Sequence, residues 1–417
     1  GLGCLCEQIT VRDTAVMPDA TFPAWGWEGF LPLSFQPRSS QELLITLSPD
    51  PAVSPRCGRC QHPCTRVHDV SVRLVRDRDL FEHRVWLSVP LRRLRCITCG
   101  VTREHLGWLP ARSRITCRLQ CYLEALVALL PLKHVAQLTG IHWHTLKAID
   151  QERLARTVPE PDLGQVRFLL MDEFALFKGH RYATVVMDAE RKQVLWVGEG
   201  RSRAAIRPFF EWLGQHCQHI EAVAMDMNTA MDLEVQAHCP HARIIYDLFH
   251  VVAKFGREVI DKVRVQQANQ LRQQPRQRQI IKRSRWLLLR NRDNLQEEQQ
   301  VRLQELLEAN QSLLLVYLMK EQLKELWYAP SERVAKRRWG QWFRQAMESG
   351  LEPLMTFARR LKPYMHGIVA SATHHLNTSL LEGVNNRIKV IKRMAYGYRD
   401  NSYFFLKIKA AFPGIPR

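Results

Sequence analysis

The chain has 417 residues, 46% of them hydrophobic, which is enough for a large core and about two to four domains. Lysine and arginine (60) outnumber aspartate and glutamate (41), so the formal net charge of +19 excludes an acidic or neutral protein. A protein this basic usually binds a polyanion, and we favour a nucleic-acid partner over a basic enzyme with scattered surface lysines.

The sequence lacks the patterns typical of export and membrane insertion. The N-terminal residues include Glu7, Asp13 and Asp19 and contain no basic-then-apolar stretch. The longest apolar run, residues 121–132, is interrupted and too short to span a bilayer. Because no export signal is found, we expect a reducing compartment. Paired cysteines among the 11 are then expected to bind metal rather than to form disulfides. We therefore expect a cytoplasmic protein without a membrane partner.

Two segments precede the first predicted helix. Residues 1–50 contain several prolines and are expected to be irregular. Residues 51–107 alternate apolar and polar side chains over 70–75 and 85–89, which is typical of strands. We therefore predict a small β-rich unit at 51–107.

Two Cys-x-x-Cys pairs lie within this β-rich unit. They are Cys57 with Cys60, and Cys96 with Cys99. Two such turns supply the tetrahedral four-sulfur shell that zinc favours, provided that strands bring the pairs together. Cys64 and His68 are other possible ligands, and four cysteines without metal are the alternative. Nothing around the pairs resembles a βαβ redox unit, so we predict structural zinc.

Residues 108–160 have helical spacing and contain a candidate helix-turn-helix at 133–147. Ala136 is small where two helices would touch, Gly140 fits the turn, and a helix is expected to start near Trp143. The residues predicted to contact DNA from the start of this helix are His142, His144, Thr145 and Lys147. An ordinary helical hairpin is the alternative, and the two histidines are interpreted as surface or phosphate-contacting groups rather than metal ligands.

From residue 161 the pattern changes to short apolar runs. Strands are predicted at 167–172, 182–187, 193–197, 222–226 and 243–247, helices at 204–216 and 229–238, and turns at Lys178-Gly179 and 189–192. Three hairpin-linked strands followed by strand–helix alternation predict an α/β fold with a mixed sheet.

Residues 250–370 are expected to be helical throughout. They begin with a basic stretch, 254–292, that contains twelve lysines and arginines and only Glu258 and Asp261 before Asp293. A solvated helix face is the alternative, but one sign of charge dominates and favours DNA binding. The residues chosen as DNA contacts are Lys282, Arg283 and Arg285.

Two aspartates end predicted strands on the same side of the sheet. Asp172 lies near the end of the first strand and Asp226 ends the fourth, and a helical crossover would make these strands parallel. Two carboxylates held together favour hard divalent cations, which can activate an attacking oxygen and stabilise a leaving oxygen of a phosphodiester. Structural aspartates are the alternative.

Three other acids are weighed beside this pair. Glu173 alternates to the opposite face, and Asp188 should lie at the far edge of the sheet. Asp247 ends the fifth strand on the same edge as Asp226. It is either an auxiliary acid or the cap of the helix that starts near His250, and we favour the cap.

Five segments, in order, resemble the transposases of the ISL3 insertion-sequence family. They are the two cysteine pairs, the helix-turn-helix, Met171-Asp-Glu-Phe-Ala-Leu-Phe-Lys-Gly179, Asp226-Met227 with Asp247-Leu-Phe-His250-Val, and Asn377-Thr-Ser-Leu-Leu-Glu-Gly-Val-Asn-Asn-Arg-Ile-Lys-Val-Ile-Lys-Arg-Met-Ala-Tyr-Gly-Tyr398. The resemblance covers about residues 55–410.

The resemblance implies a DDE transposase with a ribonuclease H-like catalytic core. The catalytic domain would span 161–417, with a large helical insertion at about 250–370. Asp172, Asp226 and Glu382 would be the catalytic triad and would bind Mg²⁺ or Mn²⁺. The substrates would be double-stranded DNA, as the element's inverted repeats and as target, bound at the bacterial nucleoid by a homodimer or larger assembly.

The physical pattern of the last segment agrees with this interpretation. Glu382 opens a predicted helix, and Asn386, Lys389 and Arg393 recur at three- or four-residue steps along one stripe. The acid could bind metal while the cations contact phosphates. A surface helix with incidental charges is the alternative. For the whole chain, the competing functions are a non-catalytic DNA-binding regulator and a structure-specific nuclease.

Overall fold

The computed structural model describes residues 26–177, 181–374, 376, 379–395 and 397–415. The predicted Lys178-Gly179 turn, the first half of the N-terminal segment, and Asn377 of the last motif lie outside the described residues. The chain clusters into two compact units, which divide between Ala155 and Arg156.

The first unit begins with a five-stranded sheet. Its strands are β1 (Phe30–Ser39), β2 (Glu42–Pro49), β3 (Val67–Arg76), β4 (Arg84–Cys96) and β5 (Gly100–Arg103). They are ordered β1-β2-β4-β3, and β5 also pairs with β4. Alternate residues of β2 and β4, including Ile45, Leu87 and Val89, are buried and form the core of this sheet.

The expectation that residues up to 50 are irregular is wrong for residues 30–49, which form β1 and β2 of the same sheet. The prolines that suggested irregular chain lie at Pro32 and Pro37, within β1. Because β1 is at the edge of the sheet, a proline there need not remove a ladder hydrogen bond. Proline is therefore compatible with this strand, although it argues against a central one.

Three helices follow in the first unit. They are α1 (Cys117–Leu129), α2 (Leu132–Thr139) and α3 (Trp143–Thr157). Pro131 separates α1 from α2, as predicted. Gly140 ends α2 with φ of +70°, a left-handed conformation that glycine adopts without strain. Leu123, Val135 and Leu146 form the fully buried centre of the three-helix group.

The second unit is built on a mixed sheet, as predicted. Its strands are β6 (Phe168–Phe177), β7 (Arg181–Asp188), β8 (Gln193–Glu199), β9 (Ala222–Met225) and β10 (Arg243–Tyr246). They are ordered β10-β9-β6-β7-β8, with β9 parallel to both β6 and β10. The hairpin pairs β6–β7 and β7–β8 are antiparallel.

Helices cover both faces of this sheet. The helices between the strands are α4 (Arg203–Leu213) and α5 (Thr229–His238), and those after β10 are α6 (Leu248–Phe255), α7 (Asp261–Gln270), α8 (Pro275–Arg283), α9 (Arg285–Leu289), α10 (Glu297–Ala309), α11 (Gln311–Trp327), α12 (Glu332–Glu348), α13 (Glu352–Leu361), α14 (Met365–Ala370), α15 (Ser379–Met394) and α16 (Asn401–Ala411). A π-helical turn, Gly256–Ile260, joins α6 to α7. Within the described residues, no helix is long and apolar enough to cross a membrane.

The two faces have separate cores, which identifies the side of the sheet that α15 covers. Met171, Met225 and Tyr246 belong to the core shared with α4, α5 and the long helical region. Their neighbours Leu170, Ala224 and Ile245 belong instead to the core that contains residues of α15 and α16. Side chains that alternate with the first set therefore face α15.

Candidate functional site

Asp172 and Asp226 lie side by side on neighbouring parallel strands. Met171 pairs with Met225, so the next positions along β6 and β9 are these two aspartates. Adjacent strands are about 4.8 Å apart, which brings the two backbones as close as a sheet allows. By alternation from Leu170 and Ala224, both side chains belong to the face that α15 covers.

Asp172 lies in the middle of its strand rather than near the end. β6 was predicted to stop at this residue, but it continues to Phe177 because its hairpin with β7 extends beyond the last pairing with β9. The main chain of β9 leaves the sheet at Asp226. This departure opens one side of Asp172 while β7 still supports the other.

The Asp172 carboxylate is buried and held by two hydrogen bonds. Its Oδ1 accepts from the Glu173 amide at 2.7 Å, and its Oδ2 accepts from Asn385 Nδ2 of α15 at 2.5 Å. Burial raises the pKa of Asp172 to about 6, and the charge of Asp226 adds to this rise. The hydrogen bonds and the charge of His250 lower the pKa in opposition.

The Asp226 carboxylate, like that of Asp172, accepts a hydrogen bond from the amide of the next residue. Its Oδ1 accepts from the Met227 amide at 2.7 Å, and its second oxygen has no hydrogen bond to any residue that the structure describes. A buried carboxylate next to a half-buried one is costly without a positive charge between or beside them. Oxygen donors of this kind suit a hard divalent cation, so the pair fits the metal expected of the site.

Glu382 is exposed in the first turn of α15. Leu381 and Val384 are buried beneath the helix, and Asn385, one helical turn beyond Glu382, contacts Asp172. Residues three apart on a helix are neighbours, so Glu382 lies on the side of α15 that approaches the aspartates. The oxygens of the three acids do not all lie within 4.8 Å of one another in the described chain.

Asp247 directly follows β10 and lies beside Asp226. We call Asp172, Asp226 and Asp247 the aspartate row. The Asp247 amide donates to the Met225 carbonyl at 3.0 Å, which sets it next to Asp226. Its Oδ1 accepts from the Phe249 amide at 2.8 Å and caps α6, as favoured from the sequence. Its Oδ2 accepts from His250 Nδ1 at 2.7 Å.

His250 is therefore held beside the aspartate row. Its hydrogen bond to Asp247 raises its pKa to about 9, and the charges of Asp226 and Asp172 contribute to the rise. The cationic form is favoured at neutral pH, where it partly balances the three acids. The sequence singled out His250 as a helix start and as part of the segment Asp247-Leu-Phe-His250-Val, without a role at the site.

The two remaining acids lie where they were expected. Glu173 faces away from α15, where its carboxylate accepts from Asn228 Nδ2 and lies 3.6 Å from an Arg201 nitrogen. Asn228 in turn caps α5, so this contact fastens the loop that carries Asp226. Asp188 pairs with Leu169 at the other end of β6 and bonds the turn after β7.

Three predicted DNA contacts form an exposed stripe on α15. Asn386, Lys389 and Arg393 are all exposed, at the predicted helical spacing after Glu382. Lys392, on an adjacent side, donates to the Ala175 carbonyl at 3.2 Å and ties the helix to β6. The stripe thus presents two cations to solvent on the side of α15 that bears Glu382.

The two cysteine pairs meet in the first unit. The sulfur atoms of Cys57, Cys60, Cys96 and Cys99 lie within 4.8 Å of one another, and β3 and β4 form the sheet that brings them together. Backbone and Thr102 hydrogen bonds lower the pKa of Cys57 to about 6, which favours the thiolate that zinc requires. Among the described residues, neither Cys64 nor His68 belongs to this group.

The helix-turn-helix residues are arranged as the spacing predicted. His142, His144 and Thr145 are exposed at the start of α3, and Lys147 is half-buried on the next turn. The rings of His142 and His144 are stacked 5.2 Å apart, and the exposed Trp143 stacks on His144. In the described chain the two histidines join no metal-ligating group.

The three cations chosen in the basic stretch are not equivalent. Lys282 and Arg283 are exposed at the end of α8. Arg285 is also exposed, but its Nε lies 2.8 Å from an Asp261 oxygen. Arg264 also pairs with Asp261, at 2.9 Å, so the single negative charge of this acid is shared by two arginines and holds Arg285 in place without neutralising it.

Two residues of the site were missed by the sequence analysis. Asn385 follows Glu382 by three residues, and His250 follows Asp247 by three. That spacing puts each on the same helix side as a residue already singled out, and it was the available signal. The contact of Asn385 with Asp172 spans 213 residues, which no local pattern reports, whereas the bond of His250 to Asp247 is local.

Three family comparisons match consecutive parts of the chain. Residues 54–99 match the zinc finger of the transposases of IS204, IS1001, IS1096 and IS1165, residues 104–154 match the helix-turn-helix domain of transposase family ISL3, and residues 169–408 match the DDE transposase domain of that family.

Two relatives match over most of their length. The transposase for insertion sequence element IS1001 of Bordetella parapertussis is 54% identical over 396 residues, covering 94% of this chain and 97% of that protein. The transposase for insertion sequence element IS1557 of Mycobacterium tuberculosis is 26% identical over 382 residues, covering 86% of each. These similarities agree with the geometry described above.

Proposed function

Because the chain belongs to the ISL3 family of insertion-sequence transposases, we propose that it binds the terminal inverted repeats of its own element and catalyses metal-dependent strand cleavage and strand transfer. It is a DDE-type enzyme that cuts and transfers DNA. The observation that carries the proposal is the pair of aspartates, Asp172 and Asp226, adjacent on parallel strands under the helix that bears Glu382.

We assign the catalytic triad to Asp172, Asp226 and Glu382, which would hold Mg²⁺ or Mn²⁺. When bound, such cations activate an attacking oxygen and neutralise charge on the phosphodiester. Asn385 orients Asp172, and the backbone amides of Glu173 and Met227 fix the first oxygen of each aspartate. The stripe of Asn386, Lys389 and Arg393 would contact the phosphates on either side of the bond that breaks.

The domain organisation follows the same proposal. The second unit, with its mixed sheet and the helices on both faces, supports a ribonuclease H-like core. The helices between β10 and α15 would be an insertion into that core. We keep the proposed domain limits of 51–107, 108–160 and 161–417, with β1 and β2 added to the first.

Recognition of the element ends is assigned to the first unit. The four clustered cysteines would bind a structural zinc ion, and His142, His144, Thr145 and Lys147 would contact DNA from α3. Lys282 and Arg283 would add phosphate contacts without sequence preference. Because two ends must be paired, we propose a dimer or larger assembly on DNA at the nucleoid.

An excision assay on a plasmid that carries both element ends tests the triad. Glu382→Gln, Asp172→Asn and Asp226→Asn should keep repeat binding yet lose cleavage and joining. An amide is nearly the size of a carboxylate but is a poor ligand for magnesium, so each change removes metal binding without creating a cavity. The expected loss is several orders of magnitude in rate, or about 4 kcal/mol in the barrier.

Glu352→Gln is the matched control. Glu352 is an exposed helix-start glutamate, like Glu382, but it pairs with Thr356 and Arg359 in the helical region and should tolerate the change. Near-normal excision by Glu382→Gln would contradict the triad and favour a DNA-binding regulator. Cleavage without joining by the unmodified protein would favour a structure-specific nuclease.

A further inference from the structure

The Asp247–His250 pair lies at the active site but has no part in the metal-binding triad. Both oxygens of Asp247 are used, one by the Phe249 amide and one by His250 Nδ1, so this carboxylate is committed to the helix cap and the imidazole. A cap needs only the first of these bonds. The hydrogen bond to His250 fixes the orientation and tautomer of the ring, and the proposed metal-binding triad gives no reason for it.

The other ring nitrogen of His250 is available to a substrate. Nε2 has no hydrogen bond to any residue that the structure describes, and the side chain is 43% exposed. The ring also lies close enough to Asp172 and Asp226 for their charges to act on it. The ring is anchored on Asp247, which lies next to Asp226 on the neighbouring strand, so it stands beside the place where the two aspartates would hold a phosphodiester.

Among the residues that the structure describes, no other cation at this site is as well suited to donate a proton. Lys392 is bonded to the Ala175 carbonyl, and the cations of the α15 stripe lie further along the helix. Arginine does not release a proton in proteins. Imidazolium can do so at neutral pH, and an aspartate behind the ring stabilises the charged form until transfer.

We propose that His250, oriented by Asp247, is the general acid that protonates the departing 3′-oxygen in strand cleavage and strand transfer. This inference rests on the proposed function. In cleavage, a water oxygen bonds to phosphorus and releases its proton to solvent. The bond between phosphorus and the 3′-oxygen breaks, the electron pair stays on that oxygen, and Nε2 supplies the proton that makes the 3′-hydroxyl.

In strand transfer, too, the leaving group is a 3′-oxygen. The element's 3′-hydroxyl oxygen bonds to a target phosphorus and loses its proton to solvent, while the target's own 3′-oxygen leaves and takes the Nε2 proton. In both steps His250 becomes neutral and regains a proton from solvent. One histidine can therefore serve both reactions without any rearrangement of the aspartate row.

A bridging 3′-phosphorothiolate at the cleavage site tests this role. Sulfur leaves as a stable thiolate and needs no proton, so it bypasses a general acid. On ordinary DNA, His250→Gln should cleave about 10² to 10⁴ times more slowly than the unmodified protein. On the phosphorothiolate DNA, the two proteins should cleave at similar rates. All reactions contain Mn²⁺, and binding of repeat DNA reports folding.

His238→Gln is the matched control. His238 is also paired with a carboxylate, Glu234, at 3.2 Å, but it stacks on Phe210 at the end of α5. Its substitution should leave the ratio of the two substrates unchanged. Asp247→Asn keeps a good helix cap but removes the negative charge that stabilises the imidazolium of His250. This variant should therefore cleave ordinary DNA more slowly and recover on the phosphorothiolate DNA.

Equal losses by His250→Gln on both substrates would overturn the general-acid role and leave a positioning role. Full activity of this variant on ordinary DNA would overturn it as well. Failure of the proposed triad would be recognised separately, because Glu382→Gln would then remain active on ordinary DNA. The role of His250 is tested by a different comparison, that of His250→Gln with the unmodified protein on the two substrates.

Discussion

Asn385 illustrates how one side chain can serve activity at the expense of stability. Its Nδ2 donates to Asp172, but its own Oδ1 is buried and has no hydrogen-bond partner within the described part of the chain. An unsatisfied buried oxygen costs about 1–3 kcal/mol. A residue selected only for stability would not keep that oxygen, so we interpret Asn385 as a positioning residue that holds the Asp172 carboxylate.

Asn385→Ala should therefore lower excision activity without lowering the melting temperature. The change frees the Asp172 carboxylate to rotate and removes the unsatisfied oxygen at the same time. We expect about a 10²-fold loss of rate, as for misplacement of a reacting group. Mn²⁺ titration followed by electron paramagnetic resonance should show weaker binding, which a merely structural role would not produce.

The neighbouring Asn386→Ala is the control for this measurement. Asn386 is exposed on the same helix and should affect DNA affinity while Mn²⁺ affinity stays unchanged. A large drop in the melting temperature of Asn385→Ala, with Mn²⁺ binding intact, would show instead that Asn385 supports the fold.

Single residues were predictable from the sequence where a strand pattern fixed their neighbours. Asp172 and Asp226 were paired correctly because both follow short apolar runs, and the helical crossover makes those strands parallel. Asn385 could not be paired with Asp172 in the same way, because the two are 213 residues apart in the chain. Neither local propensity nor spacing reports a contact of that range.

At the scale of elements, local signals succeeded where the element makes its own hydrogen bonds. α5 begins and ends as predicted, since Asn228 caps its first turn and its bonds are internal. The length of β6 was underestimated because a strand continues for as long as a neighbour pairs with it, here β7. β1 was missed because its prolines are compatible only with an edge position, which the sequence does not reveal.

The sheet of the first unit depends on its cysteine cluster in a way that can be measured. Cys57 is fully buried, and a backbone β-bridge between Cys57 and Glu104 joins the first cysteine pair to the chain after β5. Cys57→Ser or Cys96→Ser should release zinc and weaken binding to the inverted repeats. The second unit has its own cores and should remain folded.

Metal analysis of the purified protein, together with circular dichroism before and after chelation, checks this expectation. Cys217→Ser is a suitable control, because this buried cysteine belongs to the second unit and not to the cluster. Purified protein that contains no zinc would contradict the assignment, as would unchanged repeat affinity after complete removal of the metal.

For the whole molecule, the charge of +19 should appear as a steep dependence of DNA affinity on salt. Each lost phosphate contact should flatten the slope of log affinity against log salt by roughly 0.9. Lys282→Ala with Arg283→Ala should weaken all DNA sequences about equally. Arg285→Ala should change the slope less, because the ion pair with Asp261 restrains the Arg285 side chain and it is less free to reach a phosphate.

Titration of repeat and unrelated DNA at several salt concentrations measures both effects. Thr145→Ala serves as the comparison, since an exposed residue at the start of α3 should affect the repeat more than unrelated DNA. The same loss of specificity in both sets of variants would contradict this division between charge and sequence recognition. An Arg285→Ala slope change equal to that of Lys282→Ala would contradict the weaker phosphate contact expected of Arg285.

The separation of Asp172 from Asn385 also has a consequence during protein synthesis. The ribosome makes the strands β6 and β9 long before α15, which supplies both Asn385 and Glu382. At bacterial elongation rates, the 213 residues between Asp172 and Asn385 take roughly 10 to 40 s to make. The first unit is therefore complete before the catalytic site can form, and we expect a nascent chain to bind DNA before it is able to cut.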